Sequence, residues 1–452
     1  MRRNLRYFAL FLGLVMLCAT AVAQTTKWRD IYTVKKKDTV FAIANKYGLT
    51  LPELMEANPE MKKEGYVLQK GTTLFIPFAK TVTAASTATS QTAKTTVVKK
   101  QANTVNVGVM LPLHDVDGDG KRMVEYYRGI LLACENLKQK GLHVNIHAWN
   151  VPIDADIRST LVQEGANSCD LIFGPLYSKQ VAPLSDFCKS HGVKMVIPFS
   201  ITGDDVEKNK EIFQVYQSPE SLNDAVIKAF LNRFKNVHPI FVDCNDSTSR
   251  KGSFTFGLRK ELENRKITYS ITNVNSSLDY FAKAFVPSKQ NVVILNTGRS
   301  PQLTQVLNKL DELSAKYPGA VISLFGYTEW LMYAKYNLDR FYKYDTYIPS
   351  TFYYNANSAK TIDLERRYST WFHQPMQVAM PRFAITGYDH AMYFIQGVNK
   401  AGKDFTGSKE QVNYQPVQTP LHFVKTSKGG YRNQILELVH YTFNRQIEAV
   451  TY

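Results

Sequence analysis

The chain has 452 residues, of which 44% are hydrophobic, 21% charged and 12% aromatic, with 24 Gly and 18 Pro. That composition excludes a disordered, collagenous or low-complexity chain, and at about 150 residues per domain the length allows two or three separate cores. Lys and Arg number 55 against 39 Asp and Glu, a formal charge of +16, and five cysteines are too few for a disulfide framework in so long a chain.

Residues 1–23 read as a secretory signal peptide. Arg2, Arg3 and Arg6 form a positive start, Tyr7 to Ala19 is almost unbroken apolar sequence, and Ala21-Val22-Ala23 gives the small-x-small cleavage pattern. Leu17 precedes Cys18 where lipidation wants a small residue, so a lipoprotein is not expected. The apolar core is too short for a comfortable span, and nothing later reaches the ~18 apolar residues that a span needs. The mature chain is therefore expected to be exported, periplasmic or cell-wall associated, with no transmembrane segment. Export removes nucleic acid as a partner, and the positive charge instead suits an acidic wall polymer.

Residues 25–80 carry a compact grammar. Asp30-Ile-Tyr-Thr-Val34 alternates like a strand, and Asp38-Thr39 offers an N-cap before Val40, Ile43, Ala44 and Tyr47 at helical spacing. Gly48 closes that helix. A second short helix runs from Leu51 to Asn58, and Thr73-Leu-Phe-Ile-Pro77 gives a closing strand. With Tyr32, Val34, Asp38, Thr39, Leu54, Asn58, Pro59, Leu68, Gly71, Leu74, Ile76 and Pro77 at the matching spacings, this β-α-α-β unit resembles the LysM peptidoglycan-binding domain. Lys37 stands where the family usually has Gly. The resemblance implies a groove for an N-acetylglucosamine-containing glycan, walled by Lys37, Asp38, Thr39 and Val40 on one side and by Asn58 and Pro59 on the other.

Residues 81–104 are rich in Thr, Ala, Ser and Lys and read as a flexible linker. From 105 to 452, short apolar runs alternate with amphipathic helices. The runs are Val105–Leu113, Val144–Trp149, Leu171–Gly174, Met195–Phe199, Ile212–Tyr216, Pro239–Cys244, Val292–Leu295 and Val321–Phe325. Such alternation predicts an α/β fold with parallel sheets, and the length predicts two lobes.

Val107-Gly-Val-Met-Leu-Pro-Leu113, Tyr127-Arg-Gly-Ile-Leu-Leu-Ala133, Leu171-Ile-Phe-Gly-Pro-Leu-Tyr-Ser178 and Gly387-Tyr-Asp389 then resemble the type 1 periplasmic-binding-protein fold, of the leucine/isoleucine/valine-binding kind. That resemblance implies a two-lobed, Venus-flytrap domain with a ligand cleft between the lobes. The positions it implies are Tyr177, Ser178, Phe199, Ser200 and Thr202 on one lobe, and Thr297, Arg299, Tyr327 and Glu329 on the other. The stretch Asp246 to Ser253 lacks the aromatic-Gly pair that amino-acid binders of this kind usually place there, which argues against amino-acid transport.

Other motifs are weaker. Asp115-Val-Asp117-Gly-Asp119-Gly120 copies the opening of a calcium loop, but Tyr126 stands at its twelfth position, so it reads as a polar loop at the cleft edge. The aromatics between Tyr327 and Tyr354 read chiefly as packing of the second lobe. Cys134, Cys169, Cys188 and Cys244 have no metal or redox spacing and read as buried apolar groups. No nucleophile or metal motif appears, so no enzyme, metal or cofactor is expected. The expected function is non-catalytic peptidoglycan binding, with the two-lobed domain taking a small solute or a cell-wall protein. Two alternatives are a solute receptor for an ABC transporter and a regulator of peptidoglycan synthesis, similar to the lipoprotein activators of penicillin-binding synthases.

Overall fold

The computed structural model describes residues 28–36, 38–62, 66–77, 103–199 and 203–452. The signal-peptide stretch, Lys37, the linker up to residue 102, Ser200 and Thr202 lie outside the described residues.

The N-terminal module has the expected order. Strand β1 (Trp28–Thr33) pairs antiparallel with β2 (Thr73–Pro77), and helices α1 (Val40–Lys46) and α2 (Leu51–Ala57) lie between them in sequence. Thr50 and Glu53 form a reciprocal capping box at the start of α2, where Pro52 occupies a position that needs no amide hydrogen. Tyr32, Val34, Ile43, Leu54, Leu74 and Ile76 make the module's core. Side chains alternate along a strand, so the cross-strand partners Ile31 and Phe75 face the other way. Both meet the large domain's core, and Ala57 joins them there. Asp30 adds an ion pair, its Oδ1 lying 3.1 Å from Arg128 Nε. The module thus sits docked against the domain that follows the linker.

The large domain builds two seven-stranded sheets. In lobe 1, β3 (Thr104–Leu111), β4 (His143–Asn150), β5 (Leu171–Phe173), β6 (Lys194–Ile197) and β7 (Ile212–Gln214) run parallel in the order β7-β6-β5-β3-β4. In lobe 2, β8 (His238–Asp243), β9 (Ser270–Asn273), β10 (Asn291–Leu295), β11 (Ile322–Phe325) and β12 (Thr346–Ser350) run parallel as β12-β11-β10-β8-β9. The chain then returns to both sheets. β13 (Phe423–Lys425) and β14 (Tyr431–Asn433) extend lobe 1 beside β7, while β15 (Glu437–Tyr441) and β16 (Ile447–Thr451) close lobe 2 as an antiparallel hairpin beside β12. Residues 215–218, 351–358 and 434–436 therefore cross between the lobes.

The central strands are buried along their length, as sheets covered on both faces must be. Lobe 1 owes its tightest contact to two helices, α3 (Gly118–Gln139) and α4 (Phe383–Ala401). A Cβ on Gly129 would lie 1.8 Å from the Ala384 carbonyl oxygen, and one on Gly387 would lie 2.0 Å from that of Tyr126. Only glycine lets these two backbones touch, and the crossing fixes Tyr126 against His390.

Candidate functional site

In the module, the residues that the LysM resemblance points to divide by burial. Asp38 Oδ2 accepts hydrogen bonds from the Tyr32 hydroxyl at 2.6 Å and the Lys35 amide at 2.7 Å, which hold its carboxyl below the usual range. Thr39 caps α1 by accepting from the Ala42 amide at 3.1 Å and remains exposed, as does Pro59; Val40 is half-buried. Asn58 is spent on the fold. It is buried, its amide donates to the Leu54 and Phe75 carbonyls, and its Oδ1 accepts from the Phe75 amide at 2.7 Å. A side chain so buried and engaged is not free to meet a sugar, and of the two residues expected on the second wall Pro59 is the exposed one.

Between the lobes, the implied positions that are described do not converge on one cavity. Tyr177 and Phe199 line a cavity of about 550 Å³ at the carboxyl ends of the lobe 1 strands, together with residues of two crossing segments, such as Gln217 and Phe352, and Asn433 at the end of β14. Tyr177 donates to Asp119 Oδ2 at 3.3 Å, and burial, helped by the nearby carboxylates, pushes its phenol up to about 12. Asp119 also pairs with Arg122, while Asp117 caps α3 by accepting from the Gly120 amide at 2.7 Å. The calcium-like loop is thus a polar rim, and among the described residues no group of three His, Cys, Asp or Glu side chains is placed to hold a metal ion. Ser178 opens a single turn ahead of the next helix and is not part of the cavity lining.

The lobe 2 candidates form a separate cluster at the ends of β8, β10 and β11 and are absent from that lining. Buried Thr297 donates to Asp246 Oδ2 at 2.7 Å, and the Thr248 and Thr297 hydroxyls hold the Asp246 carboxyl down to about 2. Exposed Arg299 reaches Thr248 Oγ1 at 3.1 Å. Glu329 accepts from Lys251 at 2.6 Å, and that ammonium lies 4.7 Å from the ring centre of Tyr327, whose own hydroxyl donates to the Leu295 carbonyl. Every one of these groups already answers another within the lobe.

Sequence reasoning missed the chemistry on the lobe 1 side. His390 lies fully buried on α4, its Nδ1 2.9 Å from the Tyr126 hydroxyl, and it lines the cavity beside Phe383 and Leu222. Burial lowers its imidazole to about 3, so it is neutral at any physiological pH. Its neighbourhood to Gly387, which marks a close helix crossing, was the available signal. The four cysteines are free and buried, with their thiols pushed up by burial. Trp330, Phe341, Tyr344 and Tyr347 of the aromatic stretch pack the lobe 2 core. No described helix is long and apolar enough to cross a membrane.

Residues 32–77 match the LysM domain family. No curated protein sequence matches the chain. Among solved structures, one described as a branched-chain amino acid ABC transporter from Rhodospirillum rubrum is 15% identical, covering 76% of this chain and 99% of its own, with a TM-score of 0.52. A branched-chain amino acid ABC transporter periplasmic ligand-binding protein from Burkholderia xenovorans is 16% identical over 77% of this chain and 95% of its own, with a TM-score of 0.44. Full-length LpoA from Haemophilus influenzae is 13% identical over 78% of this chain and 60% of its own, at a TM-score of 0.46. At 15% identity the likeness to the Rhodospirillum rubrum structure shows the fold alone, the two-lobed one of type 1 periplasmic binding proteins.

Proposed function

We propose that this chain is an exported, non-catalytic binding protein that holds peptidoglycan through its LysM module and receives a small ligand between the lobes of its second domain. The observation that carries the reading is the LysM match at residues 32–77 on a module whose sheet face is turned to lobe 1, leaving Thr39 and Pro59 exposed for a glycan. Docking by Asp30, Ile31 and Phe75 gives the wall-bound module a fixed direction relative to the cleft. An amino-acid receptor is the weaker reading, since the polar groups that would grip an α-amino acid are consumed within lobe 2.

Cosedimentation of the mature chain with purified peptidoglycan tests this reading. Binding should be competed away by soluble N-acetylglucosamine oligomers, and Thr39→Trp, which fills the exposed groove wall, should abolish it without unfolding the protein. Sedimentation that neither the oligomers nor the substitution reduces would overturn the assignment.

A further inference from the structure

We infer that a groove on lobe 2, apart from the cavity between the lobes, takes a small aliphatic carboxylate, with its chain on the groove's apolar wall and its head drawn to Lys335 and Arg382. The inference rests neither on the LysM assignment nor on a ligand between the lobes.

The groove lies where the crossing segment 351–358 leaves lobe 2. The helix Ala334–Lys343, the crossing residues from Tyr353 to Asn357, the approach to α4 and the hairpin of β15 and β16 enclose about 600 Å³, a volume in the range of sites for small organic ligands. It shares no lining residue with the cavity beside Tyr177. Leu331, Met332, Leu338, Val378, Met380 and Ile447 make its wall largely aliphatic. Of these, Met332, Val378 and Ile447 keep 50%, 93% and 37% of their surface exposed, so the wall is open to a ligand rather than sealed as core. Apolar surface held in water in this way is what an alkyl chain would cover.

Charge selects the head group. The described residues lining the groove include Lys335 and Arg382 but no Asp or Glu. Lys335 is exposed and Arg382 half-buried, so a ligand can reach both side chains. Arg382 lays its guanidinium over the ring of Tyr354, 5.0 Å from the ring centre, and donates from Nη1 to the Gln377 carbonyl at 2.6 Å. Lys335 lies 4.6 Å from the ring centre of Tyr336. Neither cation makes an ion pair among the described residues, and the carboxylates around them are committed. Asp339, on the same helix as Lys335, pairs with Arg445 at 2.6 Å, and Glu365 accepts from the Tyr354 hydroxyl at 2.7 Å. Glu125, which Arg382 helps to pull down, accepts from Tyr368. Cations beside apolar surface and without a countercharge favour an anionic head over a neutral one, because a charge-assisted hydrogen bond is the stronger, and they repel an ammonium.

Octanoate, 1-octanol and octylammonium offered to the mature chain separate these terms, with affinities measured by ligand-observed NMR. Octanoate should bind about tenfold more tightly than 1-octanol, and octylammonium should bind most weakly. The Lys335→Gln/Arg382→Gln chain should bind octanoate no better than 1-octanol. Lys335→Gln alone, at an exposed position, should lose part of the octanoate advantage and covers the case in which replacing Arg382 disturbs the fold. Ala356→Trp, which puts a large ring on the exposed lining, should weaken octanoate and 1-octanol alike. Equal affinity for octanoate and 1-octanol, or an advantage undiminished in either Gln variant, would overturn the role of the two cations. Octanoate binding that Ala356→Trp leaves unchanged would overturn the groove as its site. Failure of all three probes to bind would overturn the whole inference and leave the wall-binding and cleft readings untouched.

Discussion

The two lobes share a sheet topology but place their charges oppositely. Lobe 1 keeps its buried ion pairs away from the cleft, Arg128 against Asp30 and Glu125 and Lys194 against Glu211 at 2.7 Å, and sets the exposed Asp119–Arg122 pair at the cavity rim. Its cleft wall is chiefly apolar, with polar side chains that already have partners within the protein and the Asp119–Arg122 pair at the rim. Lobe 2 sets two of its ion pairs at the ends of β8, β10 and β11, where Lys251 meets Glu329 and Arg299 meets Asp246. The same architecture can therefore offer a ligand either a desolvated wall or a charged, self-satisfied one, and the difference lies in which side chains follow the strands rather than in the strands themselves.

The contrast predicts its largest effect at Arg128. Its guanidinium lies between Asp30 of the module and Glu125 and Tyr368 of lobe 1, with the Phe372 ring centre 5.2 Å away. Glu125 is already pushed up by burial, even with the Tyr368 hydroxyl and Arg128 pulling it down. Arg128→Ala would leave two buried carboxylates without a cation, a change that costs about 3–5 kcal/mol. Denaturant unfolding should show that loss in the lobe 1 transition, and limited proteolysis should cut the module faster. A loss below about 1 kcal/mol would mean that the docking is not held by this network.

His390 predicts a smaller effect with a definite sign. Its folded value is about 3 against an ordinary 6.5, so below pH 6.5 the unfolded chain binds a proton that the folded chain refuses. Its contribution is intact above pH 6.5 and is lost as the pH falls toward 3, by about 1.4 kcal/mol per pH unit. Asp389 and Glu437 oppose it: burial raises them to about 6 and about 7, so their contributions are lost as the pH rises toward those values. The comparison must therefore be a difference. Between pH 6 and 4, the stability of the wild type relative to His390→Phe should fall. A flat difference would show that His390 is protonated in the folded protein.

Much of the fold was legible because burial on both faces writes itself as an apolar run. Each of the eight runs read from the sequence became a strand of one lobe. β12 escaped because Pro349 argues against a central strand, although β11 and β15 flank it on either side. β9, with the sequence Ser-Ile-Thr-Asn, is a short polar edge strand without an apolar signature. The module was more legible than the cleft, since its capping and turn residues are local. Even there Asn58 was ambiguous, because a side chain that clamps a strand looks in sequence like one that greets a sugar. His390 was hidden for the same reason: its importance comes from Tyr126, which is 264 residues away in the chain.

The smallest effect should appear at Lys251, and its smallness is what the contrast requires. Lys251 and Glu329 lie 2.6 Å apart, but their side chains keep 28% and 41% of their exposure, so water screens the pair and already solvates each partner. Lys251 also lies over Tyr327, which adds a cation–π contact of about 0.5–1 kcal/mol at an exposed site. Lys251→Ala should therefore cost no more than about 1 kcal/mol, and the cost should shrink as salt is added. A loss as large as that of Arg128→Ala would mean that lobe 2 depends on these charges as lobe 1 depends on its buried ones. The two walls would then differ in exposure but not in the work that their ion pairs do.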